Sequence, residues 1–297
     1  MHAAAGLAAA LAVALAAAHA DTQQQQQQQQ QPAPAQLMAL AFPGWVAGKP
    51  HVQNLTLRRG AARPNWGAGT VRVLAEPKLV LRTGAGRVTL VAGMLPAGAG
   101  GKPDVSQLTP MALAAYQFER RGGNWVVAAR QGIFAWRGFA GAARLRAVTL
   151  SSQRQGVAVE YGSCWQGYCG TWLALYELNQ GSVRREPAVE MALSGVNLDS
   201  AADCARRLQA PGRPRIQDGA ARGDDPSEAH DCYTIDSSWS IDAARAQPGD
   251  LVIRYRGMIS RASAQAAAPA AIDQRQVLRY DSGKYRAVSG FNPVPPI

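Results

Sequence analysis

The chain has 297 residues, of which 31 are basic and 20 acidic, giving a net charge of +11 and a pI near 10.0. No dense basic run with interleaved aromatics occurs, so a dedicated nucleic-acid groove is not supported. The positive field instead favours anionic neighbours such as an envelope component, set against the plainer reading of arginine spread over a solvated surface.

The amino terminus opens on an alanine- and leucine-rich run from Ala3 to Ala17, closed by Ala18-His19-Ala20. A short apolar stretch followed by small residues at −3 and −1 is the pattern of a secretory signal peptide over residues 1–20, cleaved after Ala20 to leave Asp21 first. The run is shorter and less apolar than the roughly 20 residues that cross a bilayer, so no transmembrane span is expected after cleavage. The expected location is the periplasm or the extracellular space. Export places the four cysteines in an oxidising compartment, where disulfides form.

Gln23 to Gln31 and Pro32-Ala33-Pro34-Ala35 follow. Such low-complexity sequence buries too little apolar area to offset its ordering entropy, and residues 21–36 are read as a disordered tether. Residues 37–297 form the folded part. Alternation with glycine-bearing turns dominates there, and strands are expected at Lys78–Arg82, Arg87–Ala92, Ala112–Arg120, Trp125–Arg130, Arg144–Leu150, Val157–Ser163, Thr171–Leu178, Tyr233–Ile241, Leu251–Arg256, Val277–Tyr280 and Tyr285–Ser289. The fold class is all-β with antiparallel hairpins. The alanine-rich stretch from Ala264 to Ala271 contains Pro269 and reads as a loop.

One unit recurs. Tyr116-Gln117-Phe118 leads through Gly122-Gly123 to Trp125-Val126-Val127; Leu175 to Leu178 leads through Gly181 to Val183; Tyr280-Asp281 leads through Gly283 to Tyr285. These aromatic, glycine-turned hairpins resemble the outer hairpins of secreted bacterial β-propeller blades. The resemblance implies a propeller-like fold, with a β-sandwich or barrel as the alternative, because ordinary antiparallel sheets also repeat hairpins.

Cys164-Trp165-Gln166-Gly167-Tyr168-Cys169 is the sharpest local object. A two-residue turn at Gln166-Gly167 opposes Trp165 to Tyr168 and Cys164 to Cys169. The cysteines then form a non-hydrogen-bonded pair with Cα atoms about 4.5 Å apart, within disulfide range. The same register places Trp165, Tyr168, Tyr161, Trp172 and Tyr176 on one face and Glu160, Leu173, Ala158 and Leu175 on the other. Tyr161, Trp172 and Tyr176 read as core. Trp165 and Tyr168, at a rigid tip, are the candidate binding residues, because aromatic side chains bury much area at little entropic cost.

Cys204 and Cys232 enclose a segment rich in Pro, Gly, Arg and Asp, and closing a loop of that length contributes roughly 3 to 4 kcal/mol in the chain-entropy model. Of three possible pairings, locality favours Cys164–Cys169 with Cys204–Cys232. A zinc site from the cysteines and His230 matches no common spacing. Asp218, Asp224, Asp225, Glu228 and Asp231 lack an ordered calcium-loop spacing and read as a solvated acidic patch. Arg222-Gly223-Asp224 is too short to carry weight.

No Gly-x-Ser-x-Gly elbow is present, and the part after the leader holds only His51 and His230 as imidazole bases. A carboxylate pair such as Glu160 with Glu177 would suit glycoside hydrolysis, but the register gives it no special support. No catalytic residue, metal or cofactor is assigned. The sequence reads as a monomeric exported envelope protein whose role is binding or interaction. A hydrolase of envelope polymers, or an inhibitor of a foreign hydrolase that plugs an active site with the stapled tip, are the alternatives.

Overall fold

The structure, a computed structural model, describes residues 32–57, 66, 69–198, 204–208, 231–261 and 268–296. The leader, the glutamine tract, the acidic residues Asp218 to Glu228, the Arg222-Gly223-Asp224 tripeptide and His230 lie outside the described residues, as do Ala264 to Ala267; Ala270 and Ala271, expected in a loop, begin a strand instead.

The first element among the described residues is a helix, α1 (Pro34–Ala41). Proline at its first position starts it without losing a needed donor, and the Phe42 amide closes it on Met38 O at 2.8 Å. It takes in Pro34, Ala35 and Gln36, which the sequence reading assigned to the tether, because Leu37, Met38 and Ala41 are buried and tertiary packing overrides weak local helicity. Arg130 donates to Ala41 O at 2.6 Å, a cation on the last carbonyls of the helix.

Among the described residues fourteen strands follow: β1 (Val52–Leu57), β2 (Gly69–Gly84), β3 (Arg87–Pro96), β4 (Met111–Arg121), β5 (Asn124–Arg137), β6 (Arg144–Ser151), β7 (Arg154–Trp165), β8 (Tyr168–Asn179), β9 (Ser182–Val183), β10 (Val189–Val196), β11 (Cys232–Ile241), β12 (Leu251–Ser260), β13 (Ala270–Asp281) and β14 (Lys284–Ser289), with short helical turns at Ala99–Gly101 and Cys204–Arg207. The protein is all-β and antiparallel. β1 to β5 form a five-stranded meander; β14-β13-β12-β11-β10-β8-β7-β6 form the second sheet, with β9 added to β8.

The second sheet curls into a half-barrel. β10 and β11 share only the pairs Gly195↔Ile235 and Val196↔Thr234, so the two halves splay apart and close over their own apolar face. Leu173, Leu175 and Ala158 on one half meet Ile235, Ile253, Tyr255 and Leu278 on the other. Gly195 sits at this join because a Cβ there would stand 3.0 Å from both the Tyr233 ring and Val294. The far ends are tied by backbone bonds from Tyr285 N to Ala188 O at 2.8 Å and from Gly249 N to Leu150 O at 2.9 Å.

Between the sheets lies a second core of Leu81, Val91, Met111, Leu113, Phe134, Val157, Val159 and Tyr176. A third, on the other side of the five-stranded sheet, packs α1 and Trp66 against Leu90, Ala92, Ala114 and Phe118. β3 and β4 are therefore buried on both faces, which explains their nearly unbroken apolar sequence. Thr89 Oγ1 donates to Gly181 O at 2.7 Å and Gln131 bonds both backbone groups of Val183, so polar side chains seat the β8–β9 turn on the first sheet.

The three repeated hairpins are all present, but one belongs to the five-stranded sheet and two to the other; the described strands do not make a ring of four-stranded blades. What the hairpins share is their turn. Gly122-Gly123, Gln180-Gly181 and Ser282-Gly283, like Gln166-Gly167, all have positive φ at both central residues, the geometry that matches strand twist in two-residue hairpins. The likeness is a local device.

Candidate functional site: a stapled tip and an open cleft

The β7–β8 hairpin pairs as its sequence requires, from Gly156↔Glu177 through Cys164↔Cys169 to Trp165↔Tyr168. Cys164 and Cys169 form a disulfide with Cα atoms 4.0 Å apart, and Cys204 and Cys232 form the other, 5.1 Å apart. The Cys204–Cys232 pair is buried with Leu208 against Leu198 and Met258.

Burial of the aromatic face fades towards the tip. Tyr176 is fully buried between the sheets; Tyr161 and Trp172 are half-buried and stacked 5.9 Å apart, with Phe139 beside them. Trp165, beyond the reach of the first sheet, is 54% exposed. The β3–β4 loop touches the tip through Gln107, whose amide donates to Cys164 O, and the next residue, Leu108, is 56% exposed. Tyr168 departs from its neighbour: it is half-buried and near Tyr233, whose phenol is held above its ordinary value first by burial and then by Tyr168 and Asp231. Of the two candidate binding residues, only Trp165 presents a large free surface.

The other feature lies at the mouth of the half-barrel. Where β10 and β11 splay, a cleft of about 600 Å³ opens between the ends of β6, β7, β8 and β10 below and β11 above. Glu160 is central to it. Its Oε1 accepts from Trp239 Nε1 at 3.0 Å and Arg146 Nη2 at 3.3 Å, and the Arg146 guanidinium lies 3.8 Å from the Trp239 ring centroid. Such stacking fixes both side chains. Thr171 and Ser194 hydroxyls bond each other at 2.7 Å on the floor. Arg144 on the rim makes no ion pair among the described residues. The Ser237 hydroxyl is buried and has no hydrogen-bond partner. A contiguous groove of about 460 Å³ runs from Glu160 and Arg144 past Ala142 to Lys78 of the five-stranded sheet.

Glu177, on the same hairpin face, lies at the opposite end. Its carboxylate accepts from Arg154 at 2.7 Å, Arg184 at 3.1 Å and Tyr280 at 2.7 Å. Burial alone would raise this carboxyl, but the hydrogen bonds from Tyr280, Arg184 and Arg154 outweigh it and hold the carboxyl below its ordinary value. Glu160 and Glu177 are four residue pairs apart along the hairpin, about 13 Å. That exceeds the roughly 6.5–9.5 Å that lets two carboxylates flank a scissile glycosidic bond with its water.

Among the described residues no group of three histidine, cysteine or acidic side chains converges as a metal site. Asp231, from the expected acidic patch, bonds Arg261 at 2.6 Å. The sequence reading passed over Arg144, Arg146, Ser194, Ser237 and Trp239. One signal was present: Asp236-Ser237-Ser238-Trp239 puts serine at an inward position of a strand whose other inward residues are Tyr233, Ile235, Trp239 and Ile241. Scanned against family models, against curated proteins and against solved structures, the chain finds no match.

Proposed function

We propose that this chain is an exported, non-catalytic binding protein of the cell envelope or exterior, and that it meets a protein partner through the disulfide-clamped β7–β8 tip. One observation carries the reading: Trp165 is 54% exposed on a hairpin end held by its own disulfide. A rigid aromatic anchor of this kind is what interface hot spots use, since little side-chain freedom is lost on docking. Leu108, carried beside the tip by the Gln107–Cys164 contact, widens the apolar surface. The two disulfides and the lack, among the described residues, of any helix long and apolar enough to cross a membrane accord with export.

The test is site-specific photo-crosslinking in the producing cell. A crosslinker at Trp165 is expected to yield a discrete adduct that Leu108→Ser weakens. The same probe at Val46, 50% exposed on the loop after α1, is expected to yield none. Identical adducts from both positions would sink the reading.

A further inference from the structure

We infer that the mouth of the half-barrel is a second binding site, independent of the tip, and that it takes an acidic oligosaccharide. Its volume of about 600 Å³ lies in the range of small-ligand pockets, roughly 300 to 1,000 Å³.

Arg144 on the rim has no carboxylate partner among the described residues, whereas Arg146 is committed to Glu160 and Trp239. An uncommitted guanidinium at a cleft rim calls for a planar anion, which it binds through two parallel hydrogen bonds. The Ser237 hydroxyl is buried without a partner, and buried polar groups are rarely left so. A ligand hydroxyl reaching it would supply that partner. Among the described residues no hydrogen bond is made to Glu160 Oε2; a carboxylate is a pure acceptor and calls for a donor. Leu193 and the Trp239 ring add apolar wall.

One ligand chemistry meets all these demands: a carboxylate for Arg144, hydroxyls for Glu160 and Ser237, and a C–H face for Leu193 and the indole. That is a sugar acid. A neutral sugar leaves Arg144 unused, and a bare phosphate or polyphosphate has no hydroxyl donors and meets Glu160 as a like charge. The contiguous groove leading to Lys78 extends the site beyond one residue of a chain, and the net charge of +11 raises the local concentration of a polyanion.

The experiment titrates the full mature chain with a galacturonic acid hexamer, with maltohexaose and with short-chain polyphosphate, by calorimetry at about 0.15 M salt, where long-range attraction between exposed charges is screened. The acidic hexamer is expected to bind at least tenfold more tightly than the neutral one. Arg144→Ala is expected to weaken it about tenfold, while Arg286→Ala, which removes an equal charge from β14, leaves it within twofold. Ser237→Ala is expected to weaken it about fivefold without lowering Tm, because the hydroxyl supports no bond in the free protein. Trp165→Ala is expected to leave saccharide binding unchanged, which separates this site from the tip. Equal binding of the two hexamers, equal binding of polyphosphate, an equal loss with Arg286→Ala, or no binding of the acidic hexamer would each overturn the assignment.

Discussion

Two glutamates on one face of one hairpin show how differently the same side chain is used. Glu177 is 6% exposed and accepts from two arginines and a tyrosine; the tyrosine, Tyr280, comes from β13, more than a hundred residues away. It straps the closed end of the half-barrel. Glu160 is half-buried and, among the described residues, engages only Arg146 and Trp239. It stands at the open end with an oxygen to spare. A carboxylate with all its bonds made within the fold serves stability, and one left partly unmade is placed to meet something else.

Substitution tests this contrast most severely at Glu177. Glu177→Ala is expected to cost about 2 kcal/mol in chemical denaturation. Breaking a buried pair costs about 3 to 5 kcal/mol; the figure is reduced because Arg154 and Arg184 are 47% and 43% exposed and keep part of their hydration. A loss below about 0.5 kcal/mol, the scale of an ordinary surface substitution, would erase the distinction between the two ends.

Acid should reveal the same asymmetry. The folded-state pKa of Glu177 is depressed, so its stabilisation is present above the unfolded carboxyl value of about 4.3 and is lost as pH falls through the lower folded value. Wild type is therefore expected to lose stability over that interval more steeply than Glu177→Gln. Parallel curves for the two proteins would contradict the strap.

Tyr280→Phe removes one donor to Glu177 and is expected to cost about 1 kcal/mol, read as a shift in the denaturant midpoint. Glu160→Gln is expected to change stability least, within about 0.5 kcal/mol, because the amide oxygen still accepts from Trp239 and Arg146 remains half in solvent. A loss at Glu160 as large as at Glu177 would make the cleft a second strap.

The β7–β8 hairpin was legible in sequence down to its residue pairs. A Gln-Gly turn, a symmetric cysteine pair and strict alternation all specify one register, and each acts over a dozen residues. The remaining predicted strands lie within observed ones, but β1, the first half of β2 and β10 were not anticipated. Val52–Leu57 carries polar residues at both parities, and β10 is bulged between Ala192 and Ser194, which breaks the period that a reader of sequence follows. The tip residue Trp165 was found for the same local reason as the register. Tyr168, its opposite, was drawn towards Tyr233 by a strand more than sixty residues downstream, and no local pattern encodes that.

The sequence by itself determined an antiparallel all-β chain and its repeated two-residue turns, and favoured one of three cysteine pairings by locality, because alternation and glycine turns are properties of neighbouring residues. Only the tertiary structure decided that one sheet would curl, that β10 and β11 would share only two ladder pairs, and that one end would close on Glu177 while the other stayed open at Glu160. Those outcomes depend on how β11 to β14 pack back onto β6 to β10, and contacts across so many residues are selected by the whole core at once.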